Sequence, residues 1–588
     1  MSEMAGYAGS QLRMRDVYRY GLFALLLAVL LIFLILPIVL SVAGGFVDVD
    51  GHFTLAYVTS IFKDPLLVQG LINALLIGAC TTLGCLALSL PMALIATRYN
   101  FPGKGVVGAL VLVPLILPPF VGAIGLRFLL GRFGAVNAML GGVGLISPDE
   151  PGINFLGGGF WAVVLMEVLH LYPILYLNVT AAMANLDPAL DEAALNLGAG
   201  RLRRFFRLTL PLIMPGIFAG GTIVFIWSFT ELGTPLMFDY YTVTPVQIFW
   251  GITELESNPQ TFALVVVMLT VALLMYVLGK FFLGGRAYEM QSKASIASQV
   301  QKLPPIAGWL ALLFFTGVTA LAILPHIGVV LASVTVDGTW YRSVLPAQLT
   351  ANHYVQALTH PLAEGAIRNS LMYSITAMIV CVAMGLAIAY LAVRVKIRGG
   401  GLLDALAMLP LAVPGLVMAF GYVAMSLHWP FGDDGPLGWM FSVLGANPQP
   451  FVLLVIAYSV RRLPYIVRSA SAGLEQTSGQ LEEAALNLGA SLATSIRRVV
   501  VPLIMANLIA GGVLVFAFSM LEVSDSLILA QKENAFPITK AIFTLFTRLG
   551  DGPYIASAMG VWGMALLTVT LVGASVLMGR KLGAIFRV

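Results

Sequence analysis

Twelve apolar stretches, each near the roughly 20 residues that a helix needs to cross a bilayer, dominate this chain and leave few folds open to it. In the first half they lie near 20–46, 67–96, 105–128, 160–183, 210–229 and 262–283. In the second half they lie near 305–334, 365–393, 402–425, 451–472, 501–520 and 554–578. Only 10% of the 588 residues are charged and the mean hydropathy is +0.93, where a soluble domain carries about 25% charged residues. The expected fold is therefore all-α and polytopic, with membrane lipid as its surrounding medium. The opening run from Gly21 to Val42 is span-length and is followed by no small-residue cleavage site, so it reads as a span and not as a removable leader.

Charge places the loops. Arg13, Arg15 and Arg19 precede the first stretch, and Arg580, Lys581 and Arg587 follow the last. Basic residues also collect after stretches two (Arg98, Lys104), four (Arg201, Arg203, Arg204, Arg207), eight (Arg394, Lys396, Arg398) and ten (Arg497, Arg498). The alternate loops carry Asp48, Asp50, Asp149, Glu150, Glu254, Glu256, Asp433 and Asp434. Lys and Arg mark the cytoplasmic side, so both termini are expected there. The net charge of +4 is small and dispersed, which argues against nucleic acid. Cys80, Cys85 and Cys381 sit in apolar stretches as small core residues, and the six histidines show no metal-ligand spacing; no metal site is expected.

The chain repeats itself. Glu192–Ala199 and Glu483–Ala490 both read EAALNLGA, and at the same offset Pro211–Met214 and Pro502–Met505 both read PLIM. Pro173 falls on Pro464, and at a slightly different offset Asn73 matches Asn369, Arg98 matches Arg394 and Pro114 matches Pro410. Six spans per copy give both copies the same orientation, a parallel repeat. Residues 1–298 and 299–588 are the expected halves, joined by the polar connector Arg286–Leu303. Each copy of the motif predicts a short amphipathic helix, near 188–200 and 479–491. Asp187-Pro188 or Ser478 opens it, and Gly198 or Gly489 lets the chain turn at its end. Leu190, Ala193, Ala194 and Leu197 make one apolar face, as do Leu481, Ala484, Ala485 and Leu488. That face either packs on its own protein or takes a partner. Near-identity in two otherwise divergent halves favours a shared partner, because packing alone accepts many apolar sequences.

At this motif the sequence resembles the membrane subunits of binding-protein-dependent ABC importers. Their hallmark is E-A-A, three residues, G, nine residues and I-x-L-P. Here it reads Glu192-Ala193-Ala194, Gly198, Leu208-x-Leu210-Pro211, and again Glu483-Ala484-Ala485, Gly489, Val499-x-Val501-Pro502. The resemblance implies that each motif is a cytoplasmic coupling helix seated in an ABC ATPase subunit, present in two copies. It also implies a periplasmic or lipid-anchored solute-binding protein, and a place in the bacterial inner membrane. No G-x-x-x-x-G-K-[ST] phosphate loop occurs. The chain is thus expected not to be an enzyme and to bind no cofactor, with ATP and Mg at the partner ATPase. A fused pair of halves resembles the ferric-iron permeases most, and the thiamine, aminoethylphosphonate and sugar-phosphate permeases next. An ion-coupled secondary transporter also has repeated halves, but it would leave the duplicated helix without a role. A membrane-embedded enzyme lacks any paired catalytic groups here.

Polar residues within spans are the candidates for contact with a solute. They are Asn73, Glu167, His170, Ser228 and Glu231 in the first copy, and Asn369, Arg461, Arg462, Ser519, Glu522 and Asp525 in the second. Two readings stand. They line a polar path between the halves, or they bond helices together, with Arg461 and Arg462 pairing with Glu167. Carboxylates suit a hard cation and arginines suit a phosphonate or phosphate.

Overall fold

In lipid every backbone N–H and C=O must find its partner inside the protein, and the computed structural model satisfies them almost wholly with helices. It describes residues 18–48, 50–147, 150–252, 259–283, 301–444 and 448–578. The positions of Arg13, Arg15, Asp149, Glu254, Glu256, Arg286, Lys293, Arg580, Lys581 and Arg587, most of the connector, and the joint at 298 lie outside the described residues.

Among the described residues nine helices are long and apolar enough to cross a membrane, and two bent pairs raise the number to eleven. The twelfth expected span is also a helix, Phe451–Gln476. Its arginines, not its length, separate it from the others. Local sequence explains the ends. Span two, Pro65–Arg98, starts where the Asp64 carboxylate accepts from the Leu66 N–H and Pro65 takes the first position.

Spans three and nine are not continuous, as 105–128 and 402–425 had been expected to be. The third is divided into Lys104–Leu110, Val113–Ile116 and Pro119–Leu130. The ninth bends by 105° between Gly400–Leu411 and Gly415–Ser426. Pro118-Pro119 and Pro414 are the cause, because proline donates no hydrogen bond and its ring displaces the carbonyl four residues earlier. Span eleven also bends, by 79°, between Leu492–Leu503 and Met505–Met520. One short departure from helix links the end of span two to the start of span seven: Tyr99–Asn100 pairs in parallel with Gln301–Lys302.

The packing units are not the sequence halves. Among the described residues, one unit combines span one with His360–Ala541 and residues 565–578; the other combines Asp48–Thr359 with Ile542–Met564. Each half thus contributes its first span to the unit built mainly from the other half. In the first of these units Pro37 has no N–H to give the Phe33 carbonyl, and the Tyr422 hydroxyl donates to it instead at 2.8 Å. Gly421 lies against the Pro37 backbone. In the second unit Gly125 of span three crosses Gly328 of span seven (Pro305–Ser333) at backbone contact. A methyl group on Gly125 would lie 1.9 Å from the Pro325 carbonyl oxygen. Gly125→Ala should therefore destabilise the protein by about 3 kcal/mol, measured as a lowered thermal midpoint in detergent; an unchanged midpoint would contradict this crossing.

Candidate functional site

The two motif helices form as their caps dictate. The first, Pro188–Asn196, opens with the Asp187 carboxylate accepting from the Ala189 N–H at 2.9 Å. The second, Gln480–Asn487, opens one residue later than expected, at Gly479, although the Ser478 hydroxyl still accepts from the Gln480 N–H at 3.3 Å. Both end in a glycine in the left-handed region, Gly198 at φ +80 and Gly489 at φ +90, where other residues are strained. The N–H of Ala199 then reaches the Ala194 carbonyl, and that of Ala490 reaches the Ala485 carbonyl.

These helices do not bury their apolar face. No residue of the first is buried, and in the second Glu482 is the buried one. Leu197 is 88% exposed and Leu488 is 89% exposed. Glu192, Ala193, Glu483 and Ala484 are exposed, and Ala194 and Ala485 are half-buried. Both copies therefore present the same uncovered surface of leucine, alanine and one glutamate. Pro211 and Pro502 are the second residues of the helices that follow, each one residue after a π-helical turn, Phe205–Thr209 and Ile496–Val500. The wider turn accommodates a residue that cannot donate.

The span residues separate into two groups. In the second copy Arg461 and Arg462, from span ten, meet Glu522 and Asp525, which follow span eleven. Arg461 Nη1 lies 2.5 Å from Glu522 Oε1 and 3.3 Å from Asp525 Oδ2. Arg462 pairs with the other oxygen of Glu522 and donates to the Phe518 carbonyl at 3.2 Å. Two guanidinium groups thus balance two carboxylates. Gly415, just past the break in span nine, leaves the room: a methyl group there would lie 2.0 Å from Arg461 Nη2. Tyr458 and Ser526 close the cluster with a 2.6 Å hydrogen bond between hydroxyls.

In the first copy Glu167 takes no arginine among the described residues. Its Oε1 accepts from the Thr234 hydroxyl at 2.9 Å, and Glu231 accepts from the Gly233 and Thr234 N–H groups at 3.0 and 3.2 Å. The pairing of Arg461 and Arg462 with Glu167 is thereby replaced by pairings inside each copy. His170 donates from Nδ1 to the Pro114 carbonyl at 2.9 Å. That carbonyl is free because Pro118, four residues on, has no N–H to offer it.

Asn73 and Asn369 act as ties. Asn73 donates to the Thr242 carbonyl at 2.6 Å, and Asn369 donates to those of Asn534 and Phe536 at 2.8 and 3.2 Å. Each fastens its span to the loop beyond span five or eleven. Ser228 and Ser519 are buried, and their hydroxyls have no hydrogen-bond partner among the described residues.

Some groups escaped the sequence reading. Thr234 stands in the first copy where Asp525 stands in the second, and buried Lys540 donates to the Leu527 carbonyl at 2.8 Å. Asp48, Asp50 and His52 gather their ligand atoms within 4.8 Å, closer than the histidine spacing implied. The turn itself accounts for this: Asp48 Oδ1 accepts from the N–H groups of Asp50 and His52.

The family model described as binding-protein-dependent transport system inner membrane component matches residues 88–284 and again 381–577. A ferric transport system permease protein of Actinobacillus pleuropneumoniae is 27% identical, over 95% of this chain and 78% of its own. A putative ferric transport system permease protein of Haemophilus influenzae is 28% identical, over 89% of this chain and 80% of its own. A probable molybdenum ABC transporter permease protein of Haloferax volcanii is 33% identical, over 44% of this chain and 90% of its own.

Proposed function

This chain belongs to the binding-protein-dependent transport system inner membrane components, the multi-pass membrane subunits of ABC importers, and on that premise we propose that the solute it moves is ferric iron. One observation carries the choice: two relatives matched over 95% and 89% of the chain, both halves included, are named as ferric permeases. The site is compatible with it. Arg461 and Arg462 are occupied by Glu522 and Asp525 and offer no spare charge to an anion, whereas the Glu167–Thr234–Glu231 group supplies oxygen donors of the kind a hard cation prefers. The molybdenum relative, more alike over one half, favours an oxyanion as the second reading.

In this reading a separate ATPase, in two copies, holds ATP and Mg and grips the two motif helices. A solute-binding protein delivers the ion from the opposite side, and alternating access carries it through the bacterial inner membrane. The exposed Leu197 and Leu488 support the grip, since an apolar surface left uncovered twice suits one partner surface used twice.

Radioactive ferric iron supplied to cells expressing the chain with its cognate ATPase and binding protein should accumulate, and excess molybdate should not compete. Uptake of molybdate without uptake of iron would overturn the choice of solute. Iron uptake that persists without the ATPase would overturn the ATP-driven class. For orientation, reporters fused after Val588 should report the cytoplasm and a reporter inserted at exposed Leu549 the opposite side. The reverse pattern would remove the motif helices from any cytoplasmic ATPase.

A further inference from the structure

The two motif helices carry the same eight-residue sequence, yet the residue just before each motif is held in a different way. In the second copy that residue is Glu482, 9% exposed. It accepts from the Tyr390 hydroxyl and faces Arg394, whose Nε lies 4.0 Å from its Oε2. Arg394 also donates to the hydroxyl and carbonyl of Thr477 at 2.7 and 2.8 Å, just ahead of the helix. Tyr390 and Arg394 both belong to the π-helical turn Tyr390–Val395 that ends span eight. The second motif helix is thus fastened directly to span eight.

In the first copy the equivalent residue is Asp191. It pairs with Arg204 at 2.8 Å, on the short basic helix Arg201–Arg204 that runs on into span five. Arg98, the counterpart of Arg394, does not reach the motif helix; it donates to Thr209 at 2.8 Å, in the same run into span five.

The repeat explains why neither arrangement can occur in the other copy. Leu94 stands at the place of Tyr390 and Leu186 at the place of Thr477, so the first copy lacks the hydroxyls of the second. Ser495 stands at the place of Arg204 and Val500 at the place of Thr209, so the second copy lacks the ion pair and the hydroxyl of the first.

We propose that the two motif helices drive different spans: the second moves span eight through Glu482, Tyr390 and Arg394, and the first moves span five through Asp191 and Arg204. The three residues of the second copy are positioning residues for transport, and the two coupling points are mechanically unequal despite their shared surface. This rests on the reading of the motif helices as the seats of the ATPase.

The test uses the full transporter, chain plus ATPase, in lipid, with Cys80, Cys85 and Cys381 replaced by serine. Spin labels at Leu481 and Ile379 report the second helix against span eight, and labels at Leu190 and Leu83 report the first helix against span two; all four positions are exposed. On addition of a non-hydrolysable ATP analogue, the Leu481–Ile379 distance should hold while the Leu190–Leu83 distance shifts by about 2 Å, the scale of helix shifts in such transitions. Glu482→Gln, and the milder Tyr390→Phe, should let the first of these distances shift as well, whereas Asp191→Asn should leave it fixed. Equal shifts in both pairs of the unaltered protein, or no effect of Glu482→Gln, would overturn the unequal wiring. A cysteine at Ala484 that forms no cross-link to the ATPase would remove the coupling reading and the wiring with it. A cross-link with equal shifts would remove the wiring alone.

Discussion

Replacing Gly198 and Gly489 together by proline should leave the protein inserted in the membrane and lower uptake by at least about 100-fold. The two glycines end the motif helices at φ +80 and φ +90. Proline is held near φ −65, so each turn must open, at a cost of about 3 kcal/mol, which corresponds to roughly two factors of ten in a rate. The strain comes from the backbone angle and not from crowding, because a methyl group at either position meets nothing within 4 Å. Asparagine tolerates the left-handed region, so Gly198→Asn with Gly489→Asn should retain most of the uptake. Membrane content, ATPase co-purification and uptake, measured side by side, separate misplacement of the motif helix from misfolding. Normal uptake in the double proline variant would refute the role assigned to these turns.

The second large effect concerns the buried charges. Arg461→Met should cost about 3–5 kcal/mol of stability, because it leaves a buried carboxylate without its partner. Glu522 keeps Arg462, but Asp525, fully buried, faces Arg461. Removing both members of that pair, as Arg461→Met with Asp525→Asn, should recover most of the loss, since a balanced neutral pair no longer strands a charge. Thermal unfolding in detergent reads both variants. The effect should appear whichever solute is offered. A single variant of normal stability that loses transport of one solute alone would make Arg461 a contact of the solute instead of a brace for the loop after span eleven.

Much of the architecture was legible because membranes make structure local. Helix is the economical way for an isolated segment to satisfy its backbone in lipid, so a run such as Pro65–Arg98 announces itself by length and composition. Even span ten, crowded with arginines, is long and apolar enough between them to be read as a span, and it is a helix over Phe451–Gln476. The motif helices were legible for a further reason. Asp187 as cap, the leucines and alanines at helical spacing, and Gly198 as terminator all act within a few residues of one another.

Less of the candidate site could be read. The charges of Arg461, Glu167 and Asp525 are visible in the chain, but an ionic partner is chosen by proximity in space, and many pairings have equal merit on paper. The repeat held an unused clue, since Thr234 and Asp525 share a position and mark where the two copies diverge in charge. The prolines of spans three and nine are visible in the chain, but whether proline kinks or interrupts a helix depends on what else can satisfy the freed carbonyl. His170 does so for Pro114.

By itself, then, the amino-acid order determined where most of the apolar spans lie, their duplication and the two short motif helices, because each depends on hydrogen bonds and side-chain periodicity within a single segment. Only the tertiary structure decided that spans one and seven pack with the opposite half, that Gly125 and Gly328 touch, and that Glu482 reaches Tyr390 where Asp191 reaches Arg204. Those outcomes depend on contacts between residues distant in the chain, where shape and the competition among partners select one arrangement from several that the local sequence permits equally.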